Sequence, residues 1–160
     1  MSMYEQLVAN LTYVYNVLKS NPSIVLLIVY FLMKKLKSKT KYMEPLDSKV
    51  ITVTDQKQCD DLLKTFSDNL VVIDFFSYSC GPCNKSAPKY TVLSKHYVNT
   101  KFLKVDIDQN IATRNKYNVN AVPTFIFIKN NEIINTIQGF KEKEILDELD
   151  RKKSSWNSQY

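Results

Sequence analysis

Apolar residues fall into two kinds of block along this chain: short runs suited to strands and spaced positions suited to helices. From residue 49 onward the two kinds alternate. Lys49–Val53 reads as a strand, and Thr54 is placed to cap a helix running to about Phe66. Leu70–Phe76 is a continuous apolar run broken only by Asp74, which suits a strand buried on both faces. A helix is expected from about Gly81 to Tyr97. Phe102–Val105 reads as a strand and Gln109–Tyr117 as a short helix. Thr124–Ile128 and Ile133–Ile137 are strand runs separated by Lys129-Asn130-Asn131-Glu132, a hairpin signal. Lys141–Lys152 is amphipathic, with Ile145, Leu146 and Leu149 facing inward. This succession predicts an α/β domain over residues 49–152, with a central mixed β-sheet flanked by helices on both faces. Residues 153–160, which include Trp156, read as a polar tail, and no internal repeat is present.

The first 48 residues follow another pattern. Tyr4, Leu7, Val8, Leu11, Val14, Tyr15 and Leu18 share one helical face. Ser20-Asn21-Pro22-Ser23 interrupts it, and an unbroken apolar run follows from Ile24 to Met33. Residues 1–37 are thus expected as an N-terminal helical segment, with 38–48 a polar linker. A spanning helix wants about 20 apolar residues. Extending this run back through Leu18 would bury Lys19, at about 2.5–3.5 kcal/mol near the bilayer centre. A helix packed on the domain or on a partner is one reading. An uncleaved membrane anchor over about 22–36 is the favoured one, because ten consecutive apolar residues need a cover. No basic region opens the chain and no small-x-small site follows Met33, so a cleaved signal peptide is not expected. Five of the eight residues from Lys34 to Lys41 are lysine. A single-pass anchor would therefore place the large domain in the cytosol and favour anionic lipid.

Composition narrows the classes further. The 160 residues carry a net charge of +6 and include only two glycines. Ordinary usage predicts roughly 11. Three cysteines are too few for a disulfide scaffold and suit a reducing compartment. The basic charges of the domain are interspersed with acids, so no nucleic-acid partner is expected. Abundant Asn, Lys, Ile and Tyr fit an AT-rich genome, such as that of a protist or a large DNA virus.

Cys80-Gly81-Pro82-Cys83 stands between the apolar strand and the next helix. Two intervening residues at the first turn of a helix bring two sulfurs close enough for a disulfide. The first sulfur then lies at the positive end of the helix, which favours thiolate. Pro82 fits early in a helix, where no N–H bond is lost. Such a pair is also half of a zinc site. Only Cys59 and His96 remain as usual N or S ligands, at unsuitable spacings, so no metal is expected. Cys59 reads as a packed thiol, with a regulatory or partner-linking role as the alternative.

These residues resemble the thioredoxin family. Val72-Ile73-Asp74-Phe75-Phe76 is similar to its central strand, and Cys80–Cys83 carries its four active-site residues. Ala87-Pro88 resembles its kinked helix, Lys104-Val105-Asp106 its next strand end, Val122-Pro123-Thr124 its cis-proline loop and Gly139-Phe140 its last turn. The resemblance covers about residues 49–152 and implies a thioredoxin-like fold. It implies that Cys80 is the nucleophile and Cys83 the resolving cysteine, with Gly81 and Pro82 tuning the potential. Asp74 would manage the second thiol's proton, and a lone acid in an apolar strand does need a task or a partner. Lys104 is a candidate charge partner for it, or else an exposed strand-end lysine. Val122 and Pro123 would shape the substrate groove, unless that proline belongs to an ordinary loop.

The implied activity is protein-disulfide reduction at a membrane, using the chain's own dithiol and no further cofactor. The expected partners are disulfide-containing protein substrates and an upstream thiol reductase. The alternative is a redox-inactive thioredoxin-like adaptor at a membrane. Ser79, where the family commonly has tryptophan, puts a hydroxyl near the thiolate and removes a flat apolar docking surface. Asn118 and Asn131 stand where the family often has glycine, and asparagine tolerates positive φ. Gly81 is expected where a side chain would crowd the thiolate.

Overall fold

A computed structural model of the chain describes residues 3–37 and 44–157. The chain divides into two compact units, Met1–Thr40 and Lys41–Tyr160.

The first unit contains α1 (Met3–Ser20) and α2 (Pro22–Lys37). The break between them is made by side chains that compete with the helix. Ser20 Oγ donates to the Asn16 carbonyl at 2.8 Å and Asn21 Nδ2 donates to that of Val17 at 3.0 Å. Pro22 then opens α2, where it sacrifices no hydrogen bond. Ile24 to Met33 are all exposed, Leu26 most of all at 71%. The expected span over about 22–36 coincides with α2, but 16 residues cover only about 24 Å. No single helix among the described residues is long and apolar enough to cross a membrane. Val8–Ser20 and Pro22–Met33 meet that requirement only together, as a pair bent by 99°. Lys39 and Lys41 of the expected lysine cluster lie outside the described residues, as do the side chains of Lys34, Lys35 and Lys37.

The second unit has β1 (Val50–Val53), α3 (Gln56–Thr65), β2 (Leu70–Phe76), α4 (Gly81–His96), β3 (Thr100–Asp106), α5 (Ile111–Lys116), β4 (Thr124–Lys129), β5 (Glu132–Gln138) and α6 (Glu142–Asn157). The sheet order is β1-β3-β2-β4-β5. β3 runs parallel to β1 and β2, while β4 is antiparallel to β2 and β5, so the sheet is mixed as expected. β2 lies at the centre and every one of its residues is buried.

Strand periodicity sends alternate β2 residues to opposite faces. Val71, Ile73 and Phe75 join Cys59 and Leu63 of α3 in one core. Leu70 and Val72 join Tyr90 of α4, and Ile145 and Leu149 of α6, in the other. Asp74 follows the parity of Val72, which puts it on the α4 face.

Three boundaries differ from expectation. Asp55, not Thr54, caps α3, because its Oδ1 reaches the Gln58 N–H at 2.8 Å while the Thr54 hydroxyl turns to the Gln58 side chain. α6 continues to Asn157, because Lys152-Lys153-Ser154-Ser155 contains no helix breaker, so most of the expected 153–160 tail is helical. The second unit also reaches upstream into the expected linker. Glu44 and Asp47 bond to Lys104 and Lys95 of the domain.

Left-handed backbone occurs at Asn118 (φ 52°), Asn130 (φ 53°), Asn131 (φ 63°) and Gly139 (φ 76°). Asparagine thus makes the turns at 118 and 131 as expected, and also at 130. An alanine at Gly139 would meet no neighbouring atom, yet its Cβ would clash with its own carbonyl at this φ. Gly139→Ala should therefore lower stability by about 1–2 kcal/mol in urea denaturation. Gly81→Ala, free of that conflict, should change it by less than about 0.5 kcal/mol. Equal losses would show that φ is not the cause.

Candidate active site

β2 ends at Phe76, and Ser77-Tyr78-Ser79 turns the chain into α4. Cys80 occupies the N-cap in extended geometry, and its sulfur accepts the Cys83 N–H at 3.1 Å. A sulfur thus takes the role usually filled by a Ser or Asp oxygen. Cys80 and Cys83 are joined as a disulfide, with Cα atoms 5.3 Å apart. Cys80 is half-buried and can be approached, whereas Cys83 is buried. The two sulfurs therefore differ in their access to a partner.

The Val122–Pro123 peptide is cis, and the Val122 carbonyl lies 3.7 Å from Cys80 Sγ. The Gly139 N–H holds the Pro123 carbonyl at 2.8 Å, tying this loop to the last turn. Beyond its two neighbours in the chain and its own helix, a Cβ built at Gly81 meets nothing within 4 Å, and the φ there is not left-handed.

Asp74 lies beneath the cysteines. It is 4% exposed, stands opposite Lys104 on β3 and Phe125 on β4, and its Oδ1 has no hydrogen-bond partner among the described residues. Burial pushes its carboxyl up to about 7. The Lys104 charge pulls it down, and the Glu44 charge pushes it up. Asp74, Cys83, Tyr90, Lys104 and Glu44 border a cavity of about 20 Å³, which has room for one water.

Lys104 shares this cavity with Asp74, but its direct ion pair is with Glu44 at 3.0 Å. Sequence reasoning missed Glu44. A single acid in a polar stretch carries no periodicity and no motif. It also missed Asp108, whose carboxylate accepts the Ser77 hydroxyl at 2.5 Å. Ser77 lies 2.8 Å from the Ser79 hydroxyl. Ser79, where the family commonly has tryptophan, is therefore an exposed serine tied into a Ser–Ser–Asp cluster.

Cys59 sits in the core on the other face of the sheet, where burial pushes its thiol up to about 11. That environment suits a packed, inert thiol. His96 is exposed near the end of α4. Among the described residues no group of three or more His, Cys, Asp or Glu could hold a metal ion.

A central strand, a Cys-x-x-Cys pair capping the following helix and a buried acid beneath define a thioredoxin-like disulfide oxidoreductase. The family model for thioredoxin matches residues 49–151, and the chain belongs to the thioredoxin family. A thioredoxin of Geodia cydonium is 38% identical over 95 residues, covering 59% of this chain and 90% of that one. Thioredoxin H3 of Arabidopsis thaliana is 39% identical over 88 residues, covering 55% and 75%. A crystal structure of the reduced Schistosoma mansoni thioredoxin pre-protein superposes with a TM-score of 0.62 at 38% identity, covering 65% of this chain and 98% of that one. Residues 1–48, including Glu44, precede the family match.

Proposed function

We propose that this protein reduces disulfides in target proteins while attached to a membrane through its N-terminal helices. The observation that carries the reaction is the Cys80–Cys83 pair at the N-terminus of α4, placed against the Val122 carbonyl and above Asp74. In the reduced protein the Cys80 thiolate attacks one sulfur of a target disulfide. A Cys80–target bond forms, the target disulfide breaks, and the first target thiolate leaves. The Cys83 thiol then passes its proton to the Asp74 carboxylate, through a water in the cavity. Its sulfur attacks Cys80 Sγ and the second target thiolate leaves. Two electrons have moved from the dithiol to the target, and Cys80–Cys83 is a disulfide. An upstream thiol reductase restores the dithiol with two electrons and two protons. An Asp74 carboxyl poised near 7 can both accept and return a proton at neutral pH.

Val122 and Pro123 line the place where an extended target strand would lie, and the Val122 carbonyl is available to pair with it. Attachment is supported by the exposed apolar run Ile24–Met33. The lysines that follow it would face anionic lipid, leaving the thioredoxin-like domain in the cytosol.

Full-length Cys83→Ser tests both parts at once. It should accumulate reductant-labile adducts with other proteins, recovered in membranes that survive alkaline extraction. Adducts no more abundant than in Cys80→Ser/Cys83→Ser would overturn the reductase reading. Release of the full-length chain into the alkaline supernatant would overturn the attachment.

A further inference from the structure

Glu44 belongs to the segment that precedes the family match, yet its carboxylate is built into the cavity beneath Cys83. Oε1 accepts from Lys104 Nζ at 3.0 Å, and Oε2 accepts from the hydroxyls of Ser48 at 2.7 Å and Thr91 at 2.9 Å. These bonds come from the upstream segment itself, from β3 and from α4. The ion pair is largely sheltered, with the Lys104 and Glu44 side chains 12% and 20% exposed. Both residues border the cavity that Asp74 and Cys83 share.

The consequence falls on Asp74. Its register partner across β2–β3 is Lys104, the one cation among the described residues that border the cavity. Left alone, that ammonium would be drawn to the partnerless Asp74 oxygen. Glu44 instead holds it, with two hydroxyls fixing the carboxylate in place. We propose that Glu44 is a positioning residue for the proton-handling site, holding the Lys104 ammonium in an ion pair and leaving Asp74 without a cationic partner. The remaining groups facing Asp74 offer no substitute. Phe125 on β4 is apolar. The Tyr90 hydroxyl lies 2.9 and 2.8 Å from the Val72 and Leu103 carbonyls and is kept neutral by burial. Tyr78 and Asn84 carry no basic group, and Cys83 is held in the disulfide.

The proposal rests on the reading of Asp74 as the proton acceptor, and the test separates the two. The oxidised full-length protein is used, so that neither active-site cysteine titrates. The Asp74 side chain is followed by carboxyl-carbon NMR and assigned with Asp74→Asn. Glu44→Gln keeps the shape and removes the charge. It should move the Asp74 midpoint down by about one pH unit or more, as for a carboxylate gaining a close cation. Lys104→Gln combined with Glu44→Gln removes both charges and should bring the midpoint back towards the wild-type value. A merely structural role for Glu44 would not be rescued in this way. An unmoved midpoint in Glu44→Gln, in protein whose thermal transition is retained, overturns the proposal. A moved midpoint with an unchanged pH profile of insulin-disulfide reduction supports Glu44 as the positioning residue and instead overturns the catalytic role given to Asp74.

Discussion

Cys80→Ser should reduce insulin-disulfide reduction by about a thousandfold or more, the scale on which loss of an enzyme's nucleophile is felt. The thiolate is the attacking species, and a thiol of ordinary acidity is only about 3% ionised at pH 7. The N–H of Cys83, 3.1 Å from Cys80 Sγ, and the positive end of α4 both favour ionisation. A serine hydroxyl gains the same two interactions, yet it stays protonated and cannot form the mixed disulfide. Buried Cys59 cannot substitute, since burial pushes its thiol up to about 11 and it lies on the opposite face of the sheet. A Cys80→Ser protein as fast as wild type would leave the family fold standing and remove the enzyme.

The second large effect concerns stability. The Asp74 carboxyl is raised from 3.8 to about 7 in the folded protein, chiefly by burial. Between about pH 4 and 7 the native state therefore keeps a proton that the unfolded chain has released. Stability falls as pH rises through that window and levels off above it. Asp74→Asn removes the charge that folding disfavours. It should stabilise the protein by about 2–4 kcal/mol at pH 8, the upper figure being the whole displacement from 3.8 to 7. Near pH 3 both folded and unfolded wild-type chains hold the proton, and the gain should shrink towards zero. Urea denaturation at the two pH values decides the matter. An equal gain at both would assign the effect to packing and not to ionisation.

What the sequence made legible was local. The run Leu70–Phe76 marked the central strand to the residue, and its one acid marked the buried carboxylate. Cys80–Cys83, with a strand before and a helix after, located the disulfide. Asn118 and Asn131 announced left-handed turns because few other residues tolerate them. The misses were contacts between distant positions. Glu44 meets Lys104 across 60 residues, and Ser77 meets Asp108 across 31. No periodicity records either pairing. The membrane reading met a similar limit, since α2 is set by the competing bonds of Ser20 and Asn21 and not by apolar length alone.

The sulfur that caps α4 also ties two equilibria together. One N–H, that of Cys83, belongs to the first turn of the helix and meets the Cys80 sulfur. Ionising Cys80 in the reduced protein strengthens that bond and so tightens the first turn of α4. By reciprocity, whatever tightens the turn makes Cys80 more acidic, by the same free energy. A target that pulls on Gly81 or Pro82 as it docks thus acts on the leaving tendency of Cys80 without touching its sulfur.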